Sequence, residues 1–245
     1  MAFSLFKKRK SDTVTIELRD DQFCSVIEEK SDDVTNKYCI IADESHYNLL
    51  YRDGRFLGMP QPMGGPIYPF SEDPRRQGSN GQKKSFQFAK VVCLSKDFEL
   101  KVDWGTAHPF LIVDPETQKP YEIGANGVFY VHIDPSDAAR KADKFYSRCL
   151  TQRNADLFNT EALRDFLRDA FIMQIGAKIQ EYIEKSGKSL QNYVGLQPSE
   201  ILNVSKDICP TLANIFDIYG LTIRQEVSSN SILRGLIVRE VTRNN

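Results

Sequence analysis

The run Asp97-Phe-Glu-Leu-Lys-Val-Asp-Trp-Gly-Thr-Ala-His-Pro-Phe110, DFELKVDWGTAHPF, decides how the chain is read. It gathers the only Trp, one of three His, and Asp, Gly and Thr, as a catalytic loop would. Alternation argues otherwise. Phe98, Leu100, Val102 and Trp104 share one side, and Glu99, Lys101 and Asp103 take the other, the period of a half-buried strand. Gly105 then turns the chain, and Pro109 biases His108 to extended backbone. The reading expects the end of a core strand and a corner, with Trp104 inside.

Working outward, more strands appear on both sides. TVTIEL (residues 13–18) alternates, with Val14, Ile16 and Leu18 on one face. Residues 38–58, YCIIADESHYNLLYRDGRFLG, read as two or three strands, and Asp53-Gly54 is the preferred pair for a two-residue hairpin turn. SFQFAKVVCL (85–94) is a further strand. Residues 59–85 are crowded with Pro and Gly and read as a long surface loop. Loops of this length usually bind something or move, so this one is expected as a contact surface or as a mobile loop without a partner. Its GSNGQKKS segment lacks the spacing of a phosphate-binding loop.

After Trp104 a loop with Pro109, Pro115 and Pro120 is expected, then a strand at GVFYVHI (127–133). Asp134-Pro135-Ser136 opens a helix over DAARKADKFYSRCL. The longest helix is expected from Thr160 to Lys185, capped by Asn159 or Thr160, with Glu161 complementing its dipole. Its apolar stripe runs Leu163, Phe166, Leu167, Ala170, Phe171, Ile175, Ile179, Tyr182 and Ile183, and Gly187 ends it. A second stripe, Ile201 to Tyr219, contains Pro210, which predicts two short helices or a kink. Gly220 closes it. LTIRQEV (221–227) alternates as a strand with Leu221, Ile223 and Val227 inward, and ILRGLIVREV is a further strand or a docking tail. Strands, loop, strands, helices and strand make an α+β domain.

The 245 residues suit one large domain or two small ones. A formal net charge of -1 supplies no field toward nucleic acid or an anionic surface. Five dispersed Cys with no paired spacing fit buried thiols in a reducing, cytoplasmic setting. No apolar run approaches the ~18–20 residues of a membrane span, and the start does not read as a signal peptide or a myristoylation site.

The chemistry-bearing residues do not form a recognisable site. His46, His108 and His132 lack metal-ligand spacing with the Cys. Hydrolase, zincin, kinase and dinucleotide motifs are absent. The acidic pairs Asp20-Asp21, Glu28-Glu29 and Asp32-Asp33 read as solvated turns. The expectation is no catalysis, no cofactor and no metal.

The N-terminus carries a different signal. Phe3, Leu5 and Phe6 beside Lys7, Lys8, Arg9 and Lys10 suit an anionic membrane surface, at about 1 kcal/mol per basic residue. Ordering the segment costs roughly 1–2 kcal/mol per residue, so one copy binds marginally and many copies bind by avidity. The alternative is a tail that keeps the terminus soluble.

Four stretches together resemble a known family. Residues 38–58 are similar to the opening strands of SPFH (Band 7) domains, which lead into R-D-G. VDWGTAHPFLIVDPE resembles the K-W-G-T-P-x-P-I-x-x-x-D stretch of a bacterial branch labelled SPFH/virion core protein-like. GVFYVHIDPSDAARK resembles that branch's G-x-Y-x-x-x-I-x-D-P element, and YGLTIRQEVSSNSI its closing helix-to-strand element. The residues carrying the likeness are Asp53, Gly54, Trp104, Gly105, Thr106, Asp134, Pro135, Tyr219 and Gly220. The chain departs from the pattern at Ala107-His108 and at Asn126-Gly127-Val128, and it ends without the coiled coil or zinc ribbon of many relatives.

The resemblance implies an SPFH domain over 13–233, with antiparallel-rich small sheets packed with helices. Its helical part lies at about 137–219, after a tail at 1–12 and before a strand or tail at 234–245. It implies a non-catalytic, self-assembling scaffold on the cytoplasmic face of a membrane that organises lipid or membrane-protein partners. A soluble protein-binding adaptor, or an enzyme with a site assembled from distant residues, stay as alternatives.

Overall fold

The computed structural model describes residues 13–14, 23–29, 39–40, 45–52, 54–59, 89–151 and 159–241. The chain divides into two compact units, one of Met1–Phe98 with Ile133–Phe158 and one of Glu99–His132 with Asn159–Asn245. The α+β class holds: the sheets are mainly antiparallel and the helices follow the strands.

In the first unit β1 (Thr13–Val14) pairs in parallel with β3 (Cys39–Ile40). Four antiparallel strands, β2 (Cys24–Glu29), β4 (His46–Arg52), β5 (Arg55–Gly58) and β6 (Ala89–Ser95), lie in the order β2-β6-β4-β5. Arg52 faces Arg55 across a two-residue turn, and Gly54 has φ 77°, as that turn demands. Asp134 accepts from Ser136 N (2.9 Å) and Pro135 opens a 3-10 turn, which leads into α1 (Ala138–Lys144). A π-helical turn, Phe145–Leu150, ends it. Phe98 packs here, 4.9 Å from Phe23 and 5.2 Å from Phe145 between ring centres.

In the second unit β7 (Glu99–Gly105) alternates as its sequence requires, with Leu100, Val102 and Trp104 buried. It pairs with the far half of β9 (Pro120–Ile133). The near half of β9 pairs on one side with β8 (Phe110–Val113) and on the other with β11 (Gly235–Glu240). The short β10 (Leu221–Ile223) also borders β9.

Against this sheet lies α2 (Thr160–Ser186), whose cap Asn159 accepts from Glu161 N at 2.9 Å and whose end is Gly187 at φ 62°. Its fully covered residues, Leu163, Leu167, Phe171, Ile175, Ile179 and Ile183, recur every fourth position. Four residues turn a helix by about 400°, so the buried line winds by roughly 40° per step. It passes from Trp104 and Phe129, which Phe171 touches, to a cavity-lining set with Leu236 and Val238.

The structure corrects three expectations. The segment after Phe110 is a hairpin and not a loop. Its prolines precede β8, sit in the turn or begin β9, places where a strand tolerates proline. Pro210 does not split its helix: α3 (Pro198–Leu212) runs two residues past it, so the proline gives up its i−4 bond just before the helix ends. The strand expected through Val227 stops at Ile223 and becomes α4 (Gln225–Ser228). Of the strand or tail expected at 234–245, residues 235–240 are a ladder strand of the second unit.

Candidate functional site

The Trp-Gly-Thr stretch is brought together with two distant segments. Trp104 is 4% exposed, its ring lies 4.9 Å from that of Phe171, and its Nε1 donates to Ile232 O at 3.0 Å. Gly105 pairs with Asn126. Thr106 closes both ends of the Ala125 peptide, donating from N to its carbonyl (2.9 Å) and accepting from its N–H at Oγ1 (3.0 Å). Gly127 has a steric reason: a Cβ there would stand 2.0 Å from Ile232 O.

Residues 224–234 therefore cross β9 at backbone distance. Arg224 N donates to Tyr130 O (2.8 Å), Tyr130 N to Ser228 Oγ (3.0 Å), Val128 N to Ser231 O (2.8 Å) and Leu233 N to Ser205 Oγ (3.1 Å). The Ser228 hydroxyl and the backbone of Arg224 and Ser231 stand in for a ladder, which explains how a segment that leaves the strand can still satisfy β9. Tyr219 packs edge-on against Phe166 (5.2 Å), and Gly220 turns at φ 73°. His108 lies exposed in the corner after Gly105. Of the cluster that resembled a catalytic loop, Trp104 and Thr106 hold the fold, while Asp103 and His108 lie exposed.

The buried charge of this unit is Asp114, which sequence reasoning passed over. Its Oδ1 accepts from Glu116 N (2.8 Å) and Thr117 N (2.9 Å), its Oδ2 from Ser189 Oγ and Leu190 N (both 2.6 Å). Burial alone would push the carboxyl up; the four hydrogen bonds outweigh it and hold the value at about 2. The signal was present in Asp114-Pro115-Glu116-Thr117, since Asp before a turn binds backbone two residues on.

In the first unit Tyr51 donates to Asp143 Oδ1 at 2.6 Å, and Lys90 donates to Tyr146 Oη at 3.2 Å. Burial and then the Asp143 bond push the Tyr51 hydroxyl well up, so it stays a donor. Lys141 reaches Asp134 at 3.1 Å. Burial raises the thiols of Cys24, of Cys93 (to about 12) and of Cys209 (to about 11), so none is a ready nucleophile. Among the described residues no group of His, Cys, Asp and Glu is placed to hold a metal. An apolar cavity of about 10 Å³ lies among Ile179, Ile183, Ile208 and Leu236, with room for at most one water.

The sequence-predicted contact residues Phe3, Leu5, Phe6, Lys7, Lys8, Arg9 and Lys10, the turn residue Asp53, and residues 60–85 of the long loop lie outside the described residues. Large apolar side chains are exposed singly at Leu57, Met173, Val194 and Ile218, and together on one sheet face. Leu111 (62% exposed), Val113 (48%) and Ile237 (56%) point away from the core of the second unit. Around them stand the directly opposed Glu122 and Arg239, and Gly124, opposite Ile237. Among the described residues, no strand pairs with the outer side of β11. Val241 N donates to Pro120 O (2.9 Å), which sets the ladder's parity: Gly235, Ile237 and Arg239 bond toward β9. Leu236, Val238 and Glu240 turn their peptide groups outward, where among the described residues no backbone bond meets them. This face and edge form the candidate interaction site.

No protein-family model, curated protein or solved structure matches this chain.

Proposed function

We propose that this chain is a non-catalytic scaffold, similar to SPFH (Band 7) proteins of the virion core protein-like branch. It self-associates and rests on the cytoplasmic face of a membrane, where it organises lipids or partner proteins. The observation that carries the reading is the use made of the Trp104-Gly105-Thr106 stretch. The polar atoms of Trp104 and Thr106 bond backbone, and three exposed apolar side chains, Leu111, Val113 and Ile237, share one sheet face. Surfaces of that kind serve contact and not turnover.

Lipid contact is assigned to Phe3, Leu5, Phe6 and Lys7 to Lys10, with residues 59–85 as a second contact surface. No helix among the described residues is long and apolar enough to cross a membrane, so the attachment proposed is peripheral. The competing reading is a protein-binding adaptor that never meets lipid, and the mixed apolar and charged face of Leu111, Glu122 and Arg239 favours it. Flotation on vesicles containing anionic lipid separates them. The scaffold requires that the full chain floats and that removal of residues 1–10 abolishes it at matched expression. If neither floats on vesicles or native membrane, the lipid role is lost and the adaptor stands.

A further inference from the structure

We infer that the outer edge of β11 pairs antiparallel with the same edge of a second copy of this chain, about a two-fold axis at Ile237. The inference rests on the self-association proposed above and names its contact. Soluble proteins guard open edges with proline, bulges or inward charges. Gly235-Leu-Ile-Val-Arg-Glu240 carries no proline and no register shift against β9. Three consecutive apolar residues lie at its centre, and Ile237 stands exposed.

The register follows from charge and parity. With Ile237 opposite Ile237, Leu236 faces Val238 in both directions, and their outward peptide groups form about four main-chain hydrogen bonds. Arg234 of each copy meets Glu240 of the other, and Gly235 faces Arg239, so no like charges oppose. Glu240 already stands 2.7 Å from Lys119, which holds its carboxylate at the strand's end. The neighbouring registers are worse. Centring on Val238 sets Leu236 against Glu240 and Ile237 against Arg239. Centring on Leu236 sets Arg234 against Val238 and removes the charge match. One strand pair buries less than the ~1,200 Å² of a standard stable interface. The contact is therefore concentration dependent, and suited to an assembly of many copies.

The test uses the full chain. In the inferred register the Ile237 pair is the non-hydrogen-bonded kind, with Cα atoms about 4.5 Å apart, within disulfide reach. Ile237→Cys is expected to form a disulfide dimer under mild oxidation. Arg239→Cys, which faces Gly235, is expected not to. By sedimentation, Arg234→Glu or Glu240→Arg weakens association about tenfold, because the two-fold repeats each lost pair. The double exchange returns to within about threefold of wild type. These residues lie at an exposed edge, and circular dichroism confirms that each variant is folded. A chain that assembles while Ile237→Cys stays uncrosslinked, or whose double exchange is no better than the singles, overturns the β11 contact alone. A wild-type chain that is monomeric at every concentration overturns the scaffold reading with it.

Discussion

Trp104 joins two roles that are separable by substitution. Its indole fills the core against Phe171, and its N–H satisfies the carbonyl of Ile232. Trp104→Ala loses both and is expected to cost ~3–5 kcal/mol in denaturant unfolding. Trp104→Phe keeps an aromatic ring but leaves the carbonyl without its donor, at about 1–3 kcal/mol. Equal stability of either variant to wild type would contradict the assignment. Asp114 makes a pH-dependent contribution. Its folded value, about 2, lies below the ordinary 3.8. The carboxylate's share, roughly 2 kcal/mol, is thus complete above pH 4 and is lost as pH falls toward 2. Unfolding curves of wild type and Asp114→Asn should converge by about that amount between pH 6 and pH 2. A constant gap would show that the charge is not what stabilises.

The elements that were legible from sequence are those whose period survives burial on one side. β7 alternates residue by residue, and α2 carries its stripe, its Asn159 cap and its Gly187 stop. The illegible ones depend on distant backbone. Three prolines hid β8, because a proline count does not tell which N–H groups a ladder would need. Val227 matched the strand period, yet Ser228 Oγ and Ser231 O meet the Tyr130 and Val128 N–H groups from a helical turn and its exit. The open site was the least visible, since Ile237 looks like any core strand residue until Gly124 and β9 are set beside it. Ser228→Ala tests this account at the level of the segment. It should cost about 1–3 kcal/mol and raise amide exchange at Tyr130 first, while exchange in β6 is unaffected. Unchanged Tyr130 protection would refute the substitution of hydroxyl for ladder.

At the scale of the molecule, the described thiols of Cys24, Cys93, Cys149 and Cys209 are buried and unbridged. In a Cys39→Ser background, thiol reagents at pH 8 should leave all four unmodified until denaturant is added. Fast labelling of any one in the folded protein would contradict that packing. Gly127 and Ile232 carry a further consequence, and it concerns time. The bond from Trp104 to Ile232 spans 128 residues of chain. Translation at ~5–20 residues per second takes roughly 6 to 26 s to cover that interval. Once β9 is made, β7 and the far half of β9 exist without the segment that crosses β9 for the rest of that interval. Contacts of such long sequence separation also close slowly. The nascent second unit therefore waits as a partly open sheet, and its crossing segment is made last. Ribosomes stalled before residue 228 should display a chain whose Trp104 is still quenched by water, and whose strand edges are there for a chaperone to hold.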